Sequence, residues 1–269
     1  MRIENYKMKK ILKKIGGFFF GKKIFQKPFA LLYKISLKGM NFGFSEVSNS
    51  GEPQILKMIR KKNRGTSPII FDVGANKGQY ANLIENVFHG NAYIYSFEPG
   101  KTTYNELLKN TAYIKNITQY NFGFGSKEKE EYLNYDTAGS GLASVYKRRL
   151  DHVHIPFEQK EKIEIKTIDD FCQKNTITSI DFLKIDVEGH ELEVLRGAEH
   201  MIKKDAIRSI QFEFGGANID SRTYFQDFYY LLQDRYTIYR VLQDGIYEIK
   251  QYSELDEVFT TVNYFATLK

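Results

Sequence analysis

Acidic side chains stand where two buried strands are predicted to end, and carboxylates at such positions can carry acid–base or metal chemistry. The apolar run Ile180–Asp186 predicts a buried strand with Asp186 at its carboxyl end. Glu188 follows two positions later and points the same way in an extended chain. Ile207–Phe214 predicts the neighbouring strand, which brings Glu213 alongside. These carboxylates could orient a hydroxyl, accept its proton or, as Asp186 and Glu213, hold a divalent cation such as Mg²⁺.

A glycine-rich turn joins a predicted strand to a predicted helix in FDVGANKGQY, Phe71–Tyr80. Glycines let the backbone pass close to a ligand, and the helix N-terminus presents free N–H groups. The dinucleotide pattern G-x-G-x-x-G would need glycine where Asn76 and Gln79 stand, which disfavours a nicotinamide cofactor. Packing between the strand and the helix alone would also call for such a turn.

A second acid ends the next predicted strand in YSFEPG, Tyr95–Gly100. Glu98 lies twenty residues beyond Gly78, and an acid in that position of a doubly wound sheet accepts hydrogen bonds from ribose hydroxyls. The alternative is a solvated turn acid before Pro99.

The spacing of Asp72, Gly74, Asn76 and Gly78 resembles motif I of class I methyltransferases that use S-adenosylmethionine (SAM), with Asn76 in place of the middle glycine. With FEP and KIDVEGHE…VLRGA following in this order and spacing, the chain over roughly residues 65–268 is similar to the FkbM family of methyltransferases. The resemblance implies a Rossmann-like fold, SAM as cofactor and mostly O-methylation, often of sugars in polysaccharides, glycolipids or antibiotics.

The motifs and the predicted strand ends together define an expected site. Residues expected to bind SAM are Asp72, Gly74, Ala75, Asn76, Gly78, Tyr80, Glu98, Pro99, Asn121 and Asp186. Residues expected to serve catalysis are Asp186, Glu213, Glu188 and His190, although a surface role at a helix start is the alternative for His190. Residues expected to contact the acceptor are Ser140, Tyr146, Arg148, Arg149 and Asn218. The two arginines could bind a phosphate or carboxylate of the acceptor, or form a solvated basic turn.

Predicted strands and helices alternate around these motifs, which implies βαβ units with parallel strands. A helix is expected over His190–Lys203, and another over Arg222–Gln233 with Asp220 or Ser221 as its cap. Tyr236–Leu242 and Phe259–Leu268 are the last predicted strands. The predicted fold is α/β, a class I methyltransferase Rossmann-like doubly wound sheet, mostly parallel with an antiparallel last strand.

The predicted domain organisation has two parts. Residues 65–269 form the SAM-binding domain, in which residues 121–165 break the alternation and are expected as an insertion over the active site. Residues 1–64 form a basic amphipathic helical segment. Residues 1–40 hold eleven Lys/Arg and one acid, whereas residues 41–269 hold 28 basic and 32 acidic residues. The segment could therefore lie on an anionic membrane or cap the core.

Composition excludes several classes of protein. The single cysteine, Cys172, rules out an intrachain disulfide framework and a Cys-rich zinc site, and it suits a reducing cytoplasm. A secretory signal and a transmembrane segment are not expected. We expect a cytoplasmic protein, with peripheral contact to the inner membrane face through residues 1–40 as an added possibility. Oligomeric state stays open.

The expected reaction is an in-line attack of an acceptor oxygen on the methyl group of SAM. The expected partner is a glycan or glycolipid, and no nucleic acid is expected because the body is acidic. A nucleic-acid methyltransferase with a basic arm and a non-catalytic SAM-binding protein are the alternatives.

Overall fold

Strands and helices alternate through the described part of the chain, which comprises residues 16–17, 19–44 and 49–269 of a computed structural model. The strands are β1 (Ile69–Val73), β2 (Tyr93–Phe97), β3 (Ile117–Tyr120), β4 (Gly123–Phe124), β5 (Lys129–Tyr135), β6 (Gln159–Lys166), β7 (Phe182–Ile185), β8 (Ser209–Phe214), β9 (Tyr236–Leu242), β10 (Gly245–Glu248) and β11 (Val262–Leu268). The helices are α1 (Gln26–Gly39), α2 (Glu52–Lys62), α3 (Gln79–Phe88), α4 (Lys101–Asn110), α5 (Ile168–Lys174), α6 (Glu191–Arg196), α7 (Glu199–Lys203), α8 (Ala217–Ser221) and α9 (Phe225–Leu232).

Eight strands form the central sheet in the order β10-β9-β11-β8-β7-β1-β2-β3. Strands β3, β2, β1, β7 and β8 are parallel, whereas β11 runs antiparallel to both β8 and β9. The hairpin of β9 and β10 closes one edge. This arrangement confirms the predicted class I methyltransferase Rossmann-like fold with an antiparallel last strand.

The register of the parallel strands aligns their carboxyl ends at one edge of the sheet. Val73 of β1 pairs with Phe97 of β2 and with Ile185 of β7, and Ile185 pairs with Phe212 of β8. Ligands bind outside the carboxyl ends of strands in open α/β sheets. The polar residues that stand just beyond the paired positions at this edge are Glu98, Asp186 and Glu213.

Apolar side chains cover both faces of the sheet and hold this edge in place. On one face, Ile70 packs with Ile84 of α3 and Ile55 of α2. On the other face, Phe97 contacts Phe171 of α5 at 5.1 Å between ring centroids. Each fully buried side chain of this kind contributes about 1.5–3 kcal/mol to folding. The strands are therefore a rigid support for the residues at their ends.

The helix predicted over His190–Lys203 is wrong in one respect, because it is broken into α6 and α7. Gly197 lies at the break, where a Cβ atom would stand 2.0 Å from the carbonyl oxygen of Gly125. The backbone there also accepts a hydrogen bond from the N–H of Asp169. Tertiary packing against these two segments overrides the continuous helical pattern.

The predicted start of the helix over Arg222–Gln233 is also wrong. Helix α9 begins at Phe225, with Tyr224 as its N-cap and Asp227 accepting a hydrogen bond from the N–H of Tyr224. Asp220 instead accepts a hydrogen bond from the N–H of Arg149, and Ser221 ends the separate short helix α8. Arg222 between the two helices has a φ of 57°, which a continuous helix does not allow.

Residues 121–165 supply most of a second, three-stranded sheet in the order β4-β6-β5. Strand β6 begins at Gln159 and pairs antiparallel with β5. The stretch between these strands includes Ser144, which exchanges backbone hydrogen bonds with Asn134. Strand β10 was not predicted, and β11 begins at Val262 rather than at Phe259.

The chain divides into one unit of residues 1–42 and another of residues 43–269. The first unit, as far as it is described, contains a short 3-10 turn, Lys23–Phe25, and helix α1. Predictions for residues 1–15, Phe18 and residues 45–48 lie outside the described residues. Among the described helices, none is long and apolar enough to cross a membrane. The predicted boundary between residues 64 and 65 stays a prediction.

Candidate active site

A cavity of about 800 Å³ opens at the carboxyl edge of the central sheet. Its polar lining comes from the turn after β1, from the residues after β2, and from the ends of β7 and β8. Its apolar lining comes largely from the second sheet, with Leu133, Ile163 and Ile165 facing it. This volume falls within the range of small-molecule and cofactor sites, and the lining combines an apolar wall with a few converging polar groups.

The turn after β1 lies against the ends of its two neighbouring strands. The N–H groups of Gly74 and Ala75 both donate to the carbonyl oxygen of Phe97 at 3.0 Å. Gly74 has a φ of 79°, and a Cβ atom there would stand 1.8 Å from the carbonyl oxygen of Asp186. Only glycine allows this approach, so the residue type at position 74 brings the first turn onto the end of β7.

Glu98 lies across this turn and faces the cavity. Its Oε2 accepts a hydrogen bond from the N–H of Asn76 at 3.0 Å, and its Oε1 accepts one from the N–H of Gly100 at 2.8 Å. Burial raises the pKa of Glu98 to about 7, and the two backbone hydrogen bonds oppose that rise. Each carboxylate oxygen keeps a lone pair for a further donor, such as a hydroxyl of a ligand.

Lys184 is a buried cation between two carboxylates, and only 4% of it is exposed. Its Nζ lies 3.4 Å from Oδ1 of Asp72 and 3.3 Å from Oδ2 of Asp186. Burial opposes the charged form, but the carboxylates of Asp186, Asp72 and Glu52 together raise the pKa of Lys184 above its usual value. Lys184 therefore stays charged and forms ion pairs with both the buried Asp72 and the cavity-facing Asp186.

Three carboxylates meet at the ends of β7 and β8, where oxygens of Asp186, Glu188 and Glu213 all lie within 4.8 Å of one another. Burial and the charge of Asp186 raise the pKa of Glu188 to about 8. Burial and the same neighbouring charge raise the pKa of Glu213 well above its usual value. Such a cluster attracts a positive charge, whether that charge belongs to a cationic ligand group or to a metal ion.

Glu191 stabilises the turn that carries Glu188. Oε1 of Glu191 accepts hydrogen bonds from the N–H groups of Val187 and Gly189, both at 3.0 Å. Burial raises the pKa of Glu191 to about 7, while these backbone donors lower it. Glu188 itself has a φ of 53°, an uncommon conformation for a side-chain-bearing residue.

His190 stands at the N-cap of α6 and lines the cavity. Its Nδ1 lies 3.0 Å from the hydroxyl oxygen of Tyr146, and its Nε2 is buried without a hydrogen-bond partner among the described residues. Burial lowers the pKa of His190 to about 4. The ring is therefore neutral at neutral pH and accepts a proton only weakly.

Arg148 covers the other side of the carboxylate cluster. Its Nη1 lies 2.6 Å from Oε2 of Glu188, and its Nε lies 3.9 Å from Oδ2 of Asp220. Arg148 also lines a second cavity of about 820 Å³, which Lys147, Arg149 and His154 border. The insertion thus places basic side chains beside the main cavity.

A buried polar network forms part of the cavity wall and was not predicted from the sequence. Nε2 of Gln211 donates to Oε1 of Glu52 at 2.8 Å and to Oδ1 of Asn263 at 3.1 Å. Oε2 of Glu52 accepts from the hydroxyl of Ser50 at 2.9 Å. Burial raises the pKa of Glu52, although Lys184 opposes the rise.

The structure brings most of the expected site residues together. Those that line the cavity are Gly74, Ala75, Asn76, Tyr80, Glu98, Pro99, Ser140, Arg148, Asp186, Glu188, His190 and Glu213. Those that stand outside its lining are Asp72, Gly78, Asn121, Tyr146, Arg149 and Asn218. Asp72 lies beneath Lys184, and Asn121 donates to the carbonyl oxygens of Glu98 and Pro99.

Asn218 is buried, and its side-chain oxygen and nitrogen are both hydrogen-bonded within the fold. Its Oδ1 accepts from the N–H of Gly215 at 2.8 Å, and its Nδ2 donates to Oγ1 of Thr223 at 2.9 Å. Only 2% of the residue is exposed. The loop after β8 therefore contacts the cavity through Gly216 and Ala217 instead.

The sequence reasoning missed two charged residues of the site. Lys184 interrupts an otherwise apolar strand two positions before Asp186, so alternation along a strand places both side chains on one face. This alternation could have predicted that Lys184 lies beside Asp186. Glu52 offers no such signal, since it lies outside every recognised motif and reaches the cavity only through the packing of α2.

The strand order, the antiparallel β11 and the cavity at the strand ends are typical of Rossmann-like methyltransferases. Residues 72–239 match the family model described as the methyltransferase FkbM domain. The chain belongs to this family of SAM-dependent methyltransferases, as the sequence motifs predicted.

Two curated relatives are similar to this chain. Hexuronic acid methyltransferase AglP of Haloferax volcanii is 23% identical over 165 residues, covering 60% of this chain and 60% of that protein. The 2-O-methyltransferase NoeI of Sinorhizobium fredii is 20% identical over 161 residues, covering 56% of this chain and 64% of that protein. The chain thus spans less than two thirds of the length of either relative.

Solved methyltransferase structures are also similar. A SAM-dependent O-methyltransferase from Thermotoga maritima has a TM-score of 0.42 at 11% identity, covering 85% of this chain and 66% of that chain. Precorrin-6y C5,15-methyltransferase from Geobacter metallireducens has a TM-score of 0.42 at 10% identity, covering 85% and 94%.

The cavity residues fit SAM, the cofactor that the family implies. Glu98 keeps free lone pairs for ribose hydroxyls, and Oδ1 of Asn76 is buried without a hydrogen-bond partner among the described residues. The carboxylate cluster matches the positive charge of a sulfonium and of an ammonium group.

Proposed function

We propose that this chain transfers the methyl group of SAM to a hydroxyl oxygen of a sugar in a polysaccharide, glycolipid or other glycoconjugate. One observation carries the proposal above all others. The carboxylates of Asp186, Glu188 and Glu213 stand in the same cavity as the turn after β1 and Glu98. This shared lining supports a cofactor site and a proton-accepting carboxylate in one cavity.

SAM supplies an electrophilic methyl group and a good leaving group, so the protein has to align the reactants and handle one proton. In this proposal Glu98 accepts hydrogen bonds from the ribose hydroxyls. The turn Gly74–Asn76 contacts the methionine part through its backbone and through Oδ1 of Asn76. Asp186, which pairs with Lys184, faces the transferred methyl group and the acceptor hydroxyl.

The acceptor hydroxyl must lose its proton during the transfer, since a neutral sugar hydroxyl is a poor nucleophile. We assign proton acceptance to Glu213, because it lies in the carboxylate cluster and lines the cavity. Burial raises its pKa, and a positive charge of the bound cofactor beside the cluster favours the ionised form that accepts a proton. Glu188 is less available for this role because Arg148 pairs with it. His190 serves instead to position Tyr146.

The names of the two curated relatives, a hexuronic acid methyltransferase and a 2-O-methyltransferase, support a sugar acceptor. The basic border of the second cavity supports an acceptor with an acidic group. Arg148 lines both cavities, and Lys147 and Arg149 flank it. A carboxylate or phosphate of the acceptor would pair with these side chains.

A divalent cation is a second candidate occupant of the carboxylate cluster, because oxygens of Asp186, Glu188 and Glu213 lie close enough to share one ion. In that variant of the proposal, the ion would lower the pKa of the acceptor hydroxyl, and a carboxylate of the cluster or a water molecule would take the proton. The activity of chelator-treated protein distinguishes the metal-dependent variant from the metal-free one. Full activity without added Mg²⁺ or Mn²⁺ supports Glu213 alone, and a strict requirement for either ion supports the metal.

The test of the proposed function is methyl transfer from isotope-labelled SAM to three acceptors: an oligosaccharide that contains a hexuronic acid, a neutral oligosaccharide and RNA. Wild-type protein is expected to label a sugar oxygen, and Asp186→Asn is expected to abolish labelling while still binding S-adenosylhomocysteine. Asp234→Asn, at an exposed position outside the cavity, is the matched control. Labelling of RNA would support a nucleic-acid methyltransferase instead. Binding of SAM with unchanged behaviour of Asp186→Asn would support a non-catalytic SAM-binding protein.

A further inference from the structure

Helix α1, Gln26–Gly39, is apolar yet exposed to solvent along nearly all of its length. Leu31, Leu32 and Ile35 expose 60%, 55% and 57% of their surface, and Ile24 just before the helix exposes 79%. Isolated exposed apolar residues are ordinary, but a contiguous apolar surface of this kind marks an interaction site.

The apolar residues of α1 follow helical spacing. Pro28, Leu31, Leu32 and Ile35 are three, four and seven positions apart and form one stripe along the helix. Lys27, Lys34 and Lys38 are separated by seven and four residues, so they form a second stripe beside the first. The described residues from Gly16 to Phe44 include no acidic side chain. The face is therefore both apolar and positively charged.

The length of α1 limits what can cover this face. A helix of 14 residues is about 21 Å long, short of the roughly 30 Å hydrocarbon core of a bilayer. Long lysine side chains that flank an apolar stripe can keep their charges in the headgroup layer while the stripe enters the acyl boundary. The surface of an anionic bilayer offers both negative charge for the lysines and an apolar boundary for the leucine and isoleucine side chains.

We propose that α1 docks this unit on the surface of a membrane containing anionic lipids, with Leu31, Leu32 and Ile35 inserted at the interface. Lys27, Lys34 and Lys38 pair with the lipid phosphates. The charge complementarity and the apolar stripe together select a lipid surface. This proposal does not depend on the methyl-transfer proposal.

The test is co-sedimentation of the full chain with vesicles of phosphatidylcholine alone and of phosphatidylcholine mixed with phosphatidylglycerol. Wild-type protein is expected to bind the mixed vesicles, and binding is expected to weaken at high salt. The triple variant Lys27→Gln, Lys34→Gln, Lys38→Gln is expected to bind about a hundredfold more weakly, at about fivefold for each lysine.

The apolar contribution is tested by Leu31→Ser with Ile35→Ser, which is expected to weaken binding at least about tenfold without changing net charge. The matched control is Lys109→Gln, Lys115→Gln, Lys127→Gln, which removes the same charge at exposed positions of the other unit and is expected to bind like wild type. A thermal shift with S-adenosylhomocysteine should be equal in all variants, because α1 is outside the cavity lining.

Three results would overturn the proposal. One is equal binding of wild type and the α1 lysine variant to the mixed vesicles. Another is full binding by Leu31→Ser with Ile35→Ser. The third is sedimentation of wild type as an oligomer that dissociates in the apolar variant and binds neither kind of vesicle, which would assign the face to a second copy of the chain.

Discussion

The ionisation of Glu98 predicts how the affinity for the cofactor product depends on pH. Its carboxylate already accepts hydrogen bonds from the N–H groups of Asn76 and Gly100, and only the ionised form has lone pairs left for two ribose hydroxyls. Burial raises the pKa of Glu98 to about 7 in the ligand-free protein. Below that pH, a proton must leave before the ligand can bind, so the dissociation constant rises tenfold for each pH unit. At about pH 5 the affinity should be about a hundredfold weaker than its high-pH value, about 2.7 kcal/mol.

The assay is isothermal titration calorimetry with S-adenosylhomocysteine between about pH 5 and about pH 7.5, below the usual pKa of an α-amino group. This ligand has a neutral sulfur, so attraction between a sulfonium and the carboxylate cluster does not enter the measurement. Glu98→Gln should bind weakly at every pH with little pH dependence. Glu161→Gln, which changes a nearby carboxylate outside the cavity lining, should keep the pH dependence with a slightly lower midpoint, because the charge of Glu161 contributes to the raised pKa of Glu98.

Folding of each variant is checked by thermal unfolding without ligand, because glutamine at position 98 can satisfy only one of the two backbone donors well. If Glu98→Gln does not fold, Glu98→Asp replaces it and should retain pH dependence with lower affinity. A wild-type affinity that is constant over this pH range would exclude this role of Glu98, as would a folded Glu98→Gln that keeps the wild-type pH dependence.

Three further predictions follow from other residues of the site. Asp186→Asn should lower kcat about a hundredfold or more but change the Kd of S-adenosylhomocysteine less than about fivefold. Single-turnover rates measure the loss of kcat, and calorimetry measures the Kd. Near-wild-type turnover would contradict this prediction. Lys184→Met leaves Asp72 and Asp186 without their buried cation and should cost about 3–5 kcal/mol of stability in urea unfolding. Adding Asp72→Asn should recover part of that loss, and no recovery would argue against the ion pair. Burial raises the pKa of Glu191 from its usual value near 4.5 to about 7, so between these values the folded state holds a proton that the unfolded state has lost. The free energy of unfolding of the ligand-free protein should therefore fall by on the order of 3 kcal/mol, from this group alone, as pH rises from about 5 to about 8. Glu191→Gln should lack this contribution to the pH dependence of stability.

The sequence was most informative where local pattern and tertiary structure agree. Short apolar runs ending in Val73 and Ile185 predict buried parallel strands, and parallel strands must end at one edge, so Gly74 and Asp186 were expected together. Glu98 is expected at the same edge, because it follows β2, which is parallel to β1. These positions depend on strand register, which the buried faces of the sheet specify strongly.

Predictions failed where a distant segment decides the local conformation. The helix over His190–Lys203 breaks at Gly197 because the carbonyl oxygen of Gly125 occupies the space that a side chain would need. Asp220 has the residue type of a helix cap, but the backbone N–H of Arg149 in the insertion binds it instead. No local pattern contains these long-range contacts.

One missed element did have a local signal. Strand β10 follows the turn Gln243–Asp244, and Asp-Gly between two runs with apolar alternation is typical of a hairpin. Glu52 is the opposite case, because its place in the cavity wall depends on Gln211 and Asn263, two residues more than 150 positions further along the chain.

If the carboxylate cluster directs methyl transfer from SAM to a sugar oxygen, as we propose, the transferred methyl group must be found on that oxygen. The measurement is NMR spectroscopy of envelope glycans incubated with wild-type protein and SAM carrying a ¹³C-labelled methyl group. We expect a labelled O-methyl group on a sugar carbon with wild type, and no such signal with Asp186→Asn. A labelled methyl group on nitrogen, on carbon or on nucleic acid would contradict it, as would equal labelling of the sugar by Asp186→Asn.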